Sequence, residues 1–402
     1  MAVEKLFDGI QSWQAVLGLL GSGFGVGTFA HWLLVRLLYG ENFDKLKHEV
    51  EKLENKNAQL SIEVGEKSTA LNDCSAHRKE LMVRLTKHEA IREALLADEE
   101  ELWQLHPALP PKGYFAKLGD SKTKIISIAN HKGGVGKTTV TANLAAYLEK
   151  RLDKRVLAID LDYQGSLSAT LLRMVNLDYV GSVAEDLIGG DFSGAQACQV
   201  ARTLQPRLPK TSVITANYEL YKFENRLMLK WLLDEVEHDV RFNLGEVLLS
   251  PEIQERFDVV LIDTPPRLTT AAINAFCASH HVIIPTIPDP LSSESVGRFA
   301  KQIKGLQGAL NPALNLAGVV VNFSFVNVLQ DREKDALLRI RKDFENMQIN
   351  APILERNIPR LAALAGVAGE DVAYLNDKMF REGIMNKLGD EIAERIGFRV
   401  PG

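Results

Sequence analysis

Ile125-Ile126-Ser127-Ile128-Ala129-Asn130-His131-Lys132-Gly133-Gly134-Val135-Gly136-Lys137-Thr138-Thr139-Val140-Thr141-Ala142-Asn143-Leu144 is the stretch that sets the fold. Ile125 to Ala129 is apolar and β-branched, which predicts a buried strand. From Thr138 the apolar residues Val140, Leu144 and Leu148 recur every fourth position, which predicts a helix. Between the two lies Lys132-Gly133-Gly134-Val135-Gly136-Lys137-Thr138-Thr139. Glycines let backbone N–H groups converge on an anion, and a helix N-terminus adds partial positive charge. A strand, a glycine turn and a helix start therefore predict a phosphate cradle. Gly133, Gly134, Val135, Gly136, Lys137, Thr138 and Thr139 would bind the nucleotide. Lys137 would reach the β/γ-phosphates, and the Thr138 hydroxyl would ligate Mg²⁺.

Two further runs are strand-like and end in acids. Arg155 to Asp160 leads into Asp160-Leu161-Asp162-Tyr163-Gln164-Gly165-Ser166, and Phe257 to Thr264 leads into Asp263-Thr264-Pro265-Pro266. Carboxylates just past the carboxyl end of a strand lie where open α/β sheets bind ligands. Four apolar residues followed by an acid suit Asp263 to a magnesium-bound water. His281 to Pro285 and Leu316 to Asn322 read as fourth and fifth strands. Alternating strand and helix patterns from Thr123 onward predict a mostly parallel, doubly wound α/β domain.

The string KGGVGKTT resembles the deviant Walker A motif of the ParA/MinD ATPases, and Asp160 to Gly165 resembles that family's first switch, typically Asp-x-Asp-Pro-Gln-Gly. The second switch resembles Asp263 to Pro266. The resemblance covers about Lys124 to Ile396 and is nearer the ParA/Soj branch than MinD. It implies a P-loop NTPase fold and Mg²⁺-dependent ATP hydrolysis by a nucleotide-sandwich dimer. It also implies roles: Lys132 crossing the dimer interface to the partner's nucleotide, Asp162 orienting the attacking water, Asp160 supporting the metal site, and Asn322 and Pro359 near the base. Tyr163 stands where the family usually has proline. Cluster cysteines of the nitrogenase-iron-protein relatives are not matched by Cys74, Cys198 and Cys277. Bacterial tyrosine autokinases carry a C-terminal tyrosine cluster, whereas residues 395–402 read Arg-Ile-Gly-Phe-Arg-Val-Pro-Gly; autokinase activity remains a minor alternative.

The N-terminal hundred residues lie outside that resemblance. After a short segment, 1–11, no Asp, Glu, Lys or Arg occurs from Gly9 to Val35. The length suffices for a bilayer helix, and a membrane span is expected over 12–38. Trp13, Trp32 and Tyr39 flank it, and Gly21, Gly23, Gly25 and Gly27 suit close helix contact. Arg36, Lys45 and Lys47 then place the ATPase on the cytoplasmic face of a bacterial inner membrane. A buried hairpin and an oligomerisation plug remain alternatives. Heptad spacing through Leu46, Val50, Leu53, Asn57, Leu60, Val64, Leu71 and Leu81 predicts a coiled coil over 41–105, with a helix folded back on the ATPase as the alternative. Prolines 107, 110 and 111 predict a linker over 106–122, ahead of the ATPase domain, 123–402.

The chain has 402 residues, 46% hydrophobic and 25% charged, and a net charge of −5. That balance does not advertise a nucleic-acid binder, although a local basic patch is compatible with it. Isolated cysteines support no zinc or iron–sulfur site. The expected partners are a second copy of the chain, a membrane and a protein partner or cargo, with DNA possible. The process is either positioning of DNA or another cargo, or a membrane signalling or defence switch.

Overall fold

The computed structural model describes residues 26–401, except 98, 179–180, 182, 325–328 and 361–370. The chain divides into two units, 1–88 and 89–402. The first is represented by helix α1, Val26–Leu96, which continues into the second. No proline interrupts 26–96, and Glu63–Lys67 and Glu80–Arg84 pair one turn apart on its surface.

Two N-terminal expectations change. Segment 1–11 and the apolar run as far as residue 25 lie outside the described residues. The rest of the expected span belongs to α1, which passes residue 38 without a break. Among the described residues no helix is long and apolar enough to cross a membrane. The heptad helix also ends earlier than 105, with a separate turn of helix at Glu99–Gln104. Leu46, Val50, Leu53, Leu60, Val64, Leu71, Leu81 and Leu85 are exposed, whereas Ile91, Ala94, Leu102 and Trp103 are buried. The seam therefore fades where the chain enters the core of the second unit.

That unit is built on an eight-stranded sheet: β1 Lys124–Ile128, β2 Val156–Asp160, β3 Arg202–Leu204, β4 Leu208–Ile214, β5 Val259–Asp263, β6 His281–Thr286, β7 Asn315–Ser324 and β8 Ile358–Pro359. The order is β3-β4-β2-β5-β1-β6-β7-β8, and every neighbouring pair is parallel except β3/β4. The strands read as unbroken apolar runs because both faces are covered. On β5, Val260 and Ile262 face one core, while Val259 and Leu261 face the other. The longer helices are α2 Lys137–Leu152, α3 Ser166–Met174, α4 Tyr218–Leu232, α5 Thr270–Ala278, α6 Pro290–Ala309, α7 Asp331–Asn346 and α8 Asn386–Arg395.

Residues 106–122, expected as a linker, are instead built into this unit. Tyr114 and Leu118 are buried, and the Tyr114 hydroxyl donates to the Cys277 carbonyl at 3.0 Å. The Trp103 indole N–H donates to the Leu268 carbonyl at 2.7 Å. Prolines marked the end of a helix correctly, but a local breaker carries no information about where the next residues pack.

Candidate nucleotide site

Parallel pairing brings three carboxyl ends together. Ile128 and Asp160 both stand opposite Asp263 in the register. The turn from β1 to α2 closes over them, with Gly134 and Gly136 at φ of 73° and 90°. A Cβ on Gly136 would come within 2.6 Å of Asn322 Nδ2, so glycine is required there by space as well as by conformation. A cleft of about 630 Å³ opens above, lined by Gly133, Gly134, Gly136, Lys137, Thr138, Thr139 and Asp162.

Lys137 is buried, and its ammonium makes a long hydrogen bond, 3.5 Å, to the Lys132 carbonyl. Burial lowers its pKa, and Asp263 and Asp162 partly oppose the shift. Thr138 Oγ1 donates to Asp263 Oδ2 at 2.7 Å. The other oxygen, Asp263 Oδ1, is buried with no hydrogen-bond partner among the described residues. Burial and then the nearby Asp160 push the Asp263 carboxyl well above its ordinary range. A hydroxyl beside an unpartnered buried carboxylate oxygen fits a hard divalent cation, which takes oxygen ligands. Three carboxyl groups, Asp160, Asp162 and Asp263, lie near one ammonium, and a divalent cation there would favour their ionised forms, which burial opposes.

Asp160 turns its oxygens to the loop and helix that follow it. Its Oδ2 accepts the Ser168 N–H at 2.8 Å and the Ser168 hydroxyl at 2.7 Å, and its Oδ1 accepts the Asp162 N–H at 3.1 Å. Burial, outweighing the Ser168 bonds, pushes its carboxyl up to about 7. It anchors the loop that carries Asp162 and the first turn of α3, and it stands opposite Asp263, beside the metal site it is expected to support. Asp162 lines the cleft, with Oδ1 accepting the Gln164 N–H at 3.0 Å, and burial raises its pKa.

Lys132 does not line its own cleft. Its ammonium donates to Ser292 Oγ at 2.6 Å and lies 3.3 Å from Asp289 Oδ2. Asp289 in turn caps α6, accepting the Ser292 N–H at 2.9 Å. Burial would raise its carboxyl, but the Ser292 bonds and Lys132 hold it below its ordinary value.

Asn322 and Pro359 are not brought to the cleft wall. Asn322 is buried behind the loop, and its Nδ2 donates to the Val135 carbonyl at 2.8 Å. Pro359 is buried in β8, opposite Ser324. An asparagine at a strand end is short enough to brace the adjoining turn, and here it does so. Sequence reasoning missed Asn143, Arg173, Phe323 and Asp371, which line the cleft. Asn143 links its two walls, donating to the Thr139 carbonyl and accepting the Tyr374 N–H. Only its place one turn after the glycine loop could have flagged it.

An AAA domain family profile matches residues 123–316. Among curated proteins, the chain is 33% identical over 212 residues to a Sinorhizobium fredii protein designated replication protein A. That alignment covers 52% of this chain and half of the relative's own length. It is 32% identical over 219 residues to the chromosome-partitioning ATPase Soj of Thermus thermophilus, covering 54% of this chain and 77% of Soj. Among solved structures, Cyanothece McdA, solved also in complex with ATP, superimposes with a TM-score of 0.56 at 18% identity. It spans 70% of this chain and 99% of McdA, a likeness of fold. On the extent of the match to Soj, the chain belongs to the ParA/Soj family of P-loop ATPases.

Proposed function

We propose that this protein binds Mg²⁺·ATP, hydrolyses it slowly as a nucleotide-closed dimer, and uses the two nucleotide states to position a partner or cargo. The observation that carries the reading is Asp263 Oδ1, buried and unpartnered beside the Thr138 hydroxyl under a glycine cradle. Thr138 and Asp263 would hold the metal, which supplies charge neutralisation across the phosphates. Lys137 binds and neutralises phosphate oxygens from within its own chain. Lys132 exchanges Asp289 and Ser292 for the nucleotide of a second copy. Asp162, held by Asp160, orients water for attack. Asp162→Ala should bind ATP with near wild-type affinity while turnover falls about 100-fold, the range for a lost proton-handling or water-positioning group. Unchanged turnover assigns Asp162 to loop structure alone.

Relatives named for chromosome partitioning favour positioning of DNA or another cargo. A second reading, a signalling or defence switch, is favoured by a specific contact. Trp103, in the arm formed by residues 99–111 of the second unit, hydrogen-bonds Leu268, five residues beyond Asp263. Movement in that second switch would be felt directly by the arm. ATP-dependent, salt-sensitive retention on DNA selects the first reading, and its absence selects the second.

We also propose that α1 pairs with a second copy through its exposed apolar seam and that the charge-free run ahead of it anchors the protein to the bacterial inner membrane. Cys74 is exposed in the seam, and Cys277 is buried beyond reach of oxidants. Membranes from cells expressing the Cys198→Ser chain should retain it through alkaline carbonate. Mild oxidation should then link it through Cys74 without added ATP. Release into the supernatant removes the anchor, and an ATP requirement for the link removes the constitutive coiled coil.

A further inference from the structure

The loop that carries Asp162 is braced from outside the cleft. Tyr163, the next residue, packs its ring 5.3 Å from that of Tyr221 and 6.3 Å from that of Tyr218, and the latter two stack at 5.5 Å. Tyr218 and Tyr221 lie three apart on the first turn of α4, so they share one face. That turn is a fixed platform. Asn217 caps it through the Glu219 N–H. One turn on, the buried Glu224 accepts the Ala271 N–H through its side chain and the Thr270 hydroxyl through its carbonyl. At the far end Trp231 stacks on Trp103.

Tyr218 is 57% exposed and Tyr221 40% exposed, so neither is placed there to fill the core. The loop they meet is tied from within by the Asp162 N–H to Asp160 and by the Gly165 N–H to the Asp162 carbonyl, and Tyr163 also touches the core; the two tyrosines add the restraint on its outer side. Gln164 is exposed, and its N–H turns back to Asp162 itself. Gly165, at φ 65°, adds backbone freedom. A proline at position 163 would limit the loop through its own ring; a tyrosine limits it only if something holds the side chain. We infer that Tyr218 and Tyr221 are positioning residues for hydrolysis: by packing edge-on and tilted against the Tyr163 ring they hold Asp162 at the angle needed to orient water. This rests on the hydrolysis reading of the cleft.

Tyr218→Ala/Tyr221→Ala in the full chain should lower ATP turnover about 10- to 100-fold, the scale of a misplaced catalytic group. ATP affinity should stay within about twofold, because the phosphate loop is untouched. Tyr218→Phe/Tyr221→Phe keeps the rings and should keep turnover. Adding Tyr163→Pro to the double alanine variant should restore much of the lost rate by stiffening the loop covalently. Wild-type turnover in the double alanine variant overturns the inference, as does a rate loss matched by lost ATP affinity. No ATP turnover by the wild-type chain overturns the hydrolysis reading itself, and the positioning role with it.

Discussion

Lys137→Ala should lose ATP affinity at least about 100-fold, which is ~2.8 kcal/mol at 1.4 kcal/mol per tenfold. The lysine is buried at the cleft, and the hydrogen bond from its ammonium to the Lys132 carbonyl is at the limit of length. Burial lowers its pKa, and Asp263 and Asp162 oppose that shift in part. Polyphosphate oxygens would give the ammonium the short, charge-assisted bonds it lacks, and bonds to charged groups contribute about 1.5–3 kcal/mol each. Alanine removes those bonds and also leaves phosphate charge facing three carboxyl groups with no protein cation between. Thermal melting checks this directly. Mg²⁺·ATP should raise the wild-type melting temperature through binding to the native state alone, and should leave that of the variant unchanged. Affinity within threefold of wild type would remove Lys137 from the phosphate site.

How much of this was legible in the sequence depended on separation along the chain. The strand, glycine loop and helix of 124–152 are contiguous, so pattern and motif were enough. The acids at 160 and 263 were found because each closes an apolar run, and parallel pairing then set them opposite one another. What Asp160 does with its oxygens was not legible, since it depends on Ser168 rotating back from the first turn of the next helix. Lys132 was singled out by its motif, but its resting partners are 157 and 160 positions away. Tyr163 was visible as a departure from proline; the tyrosines that compensate sit on another helix. β3 and β8 escaped notice because edge strands of three and two residues are too short to show a period, and β4, though an inner strand, carries Pro209, Lys210, Thr211 and Ser212 in place of an apolar run. The largest misreading was at 89–122. Helical spacing and prolines describe the backbone there faithfully, yet burial of Ile91, Trp103, Tyr114 and Leu118 is a property of the tertiary fold.

Arg241→Ala should destabilise the ATPase unit by about 3–5 kcal/mol, the cost of leaving one member of a buried ion pair alone. Arg241 is fully buried, and Asp239 beside it is nearly so. All five guanidinium N–H groups have acceptors to use: Nε and Nη2 reach the two Asp239 oxygens, Nη1 reaches the carbonyls of Trp103 and His106, and Nη2 also reaches that of Pro107. Its plane lies 4.8 Å from the Trp231 ring centre, and Trp231 stacks on Trp103. One side chain thus ties residues 103–107 to α4, and the Trp103 indole carries the tie on to Leu268. Lysine cannot replace it, since a single ammonium cannot span a fork of carbonyls and a carboxylate. At roughly 2–4 °C per kcal/mol for a unit of this size, the melting temperature should fall on the order of 10 °C. Hydrogen exchange should quicken first in 99–111, which loses three carbonyl partners at once. Asp239→Asn/Arg241→Met removes the stranded charge and should recover part of the loss. A change below about 1 kcal/mol in Arg241→Ala, with exchange unaltered in 99–111, would show that the arm is held by its apolar contacts alone.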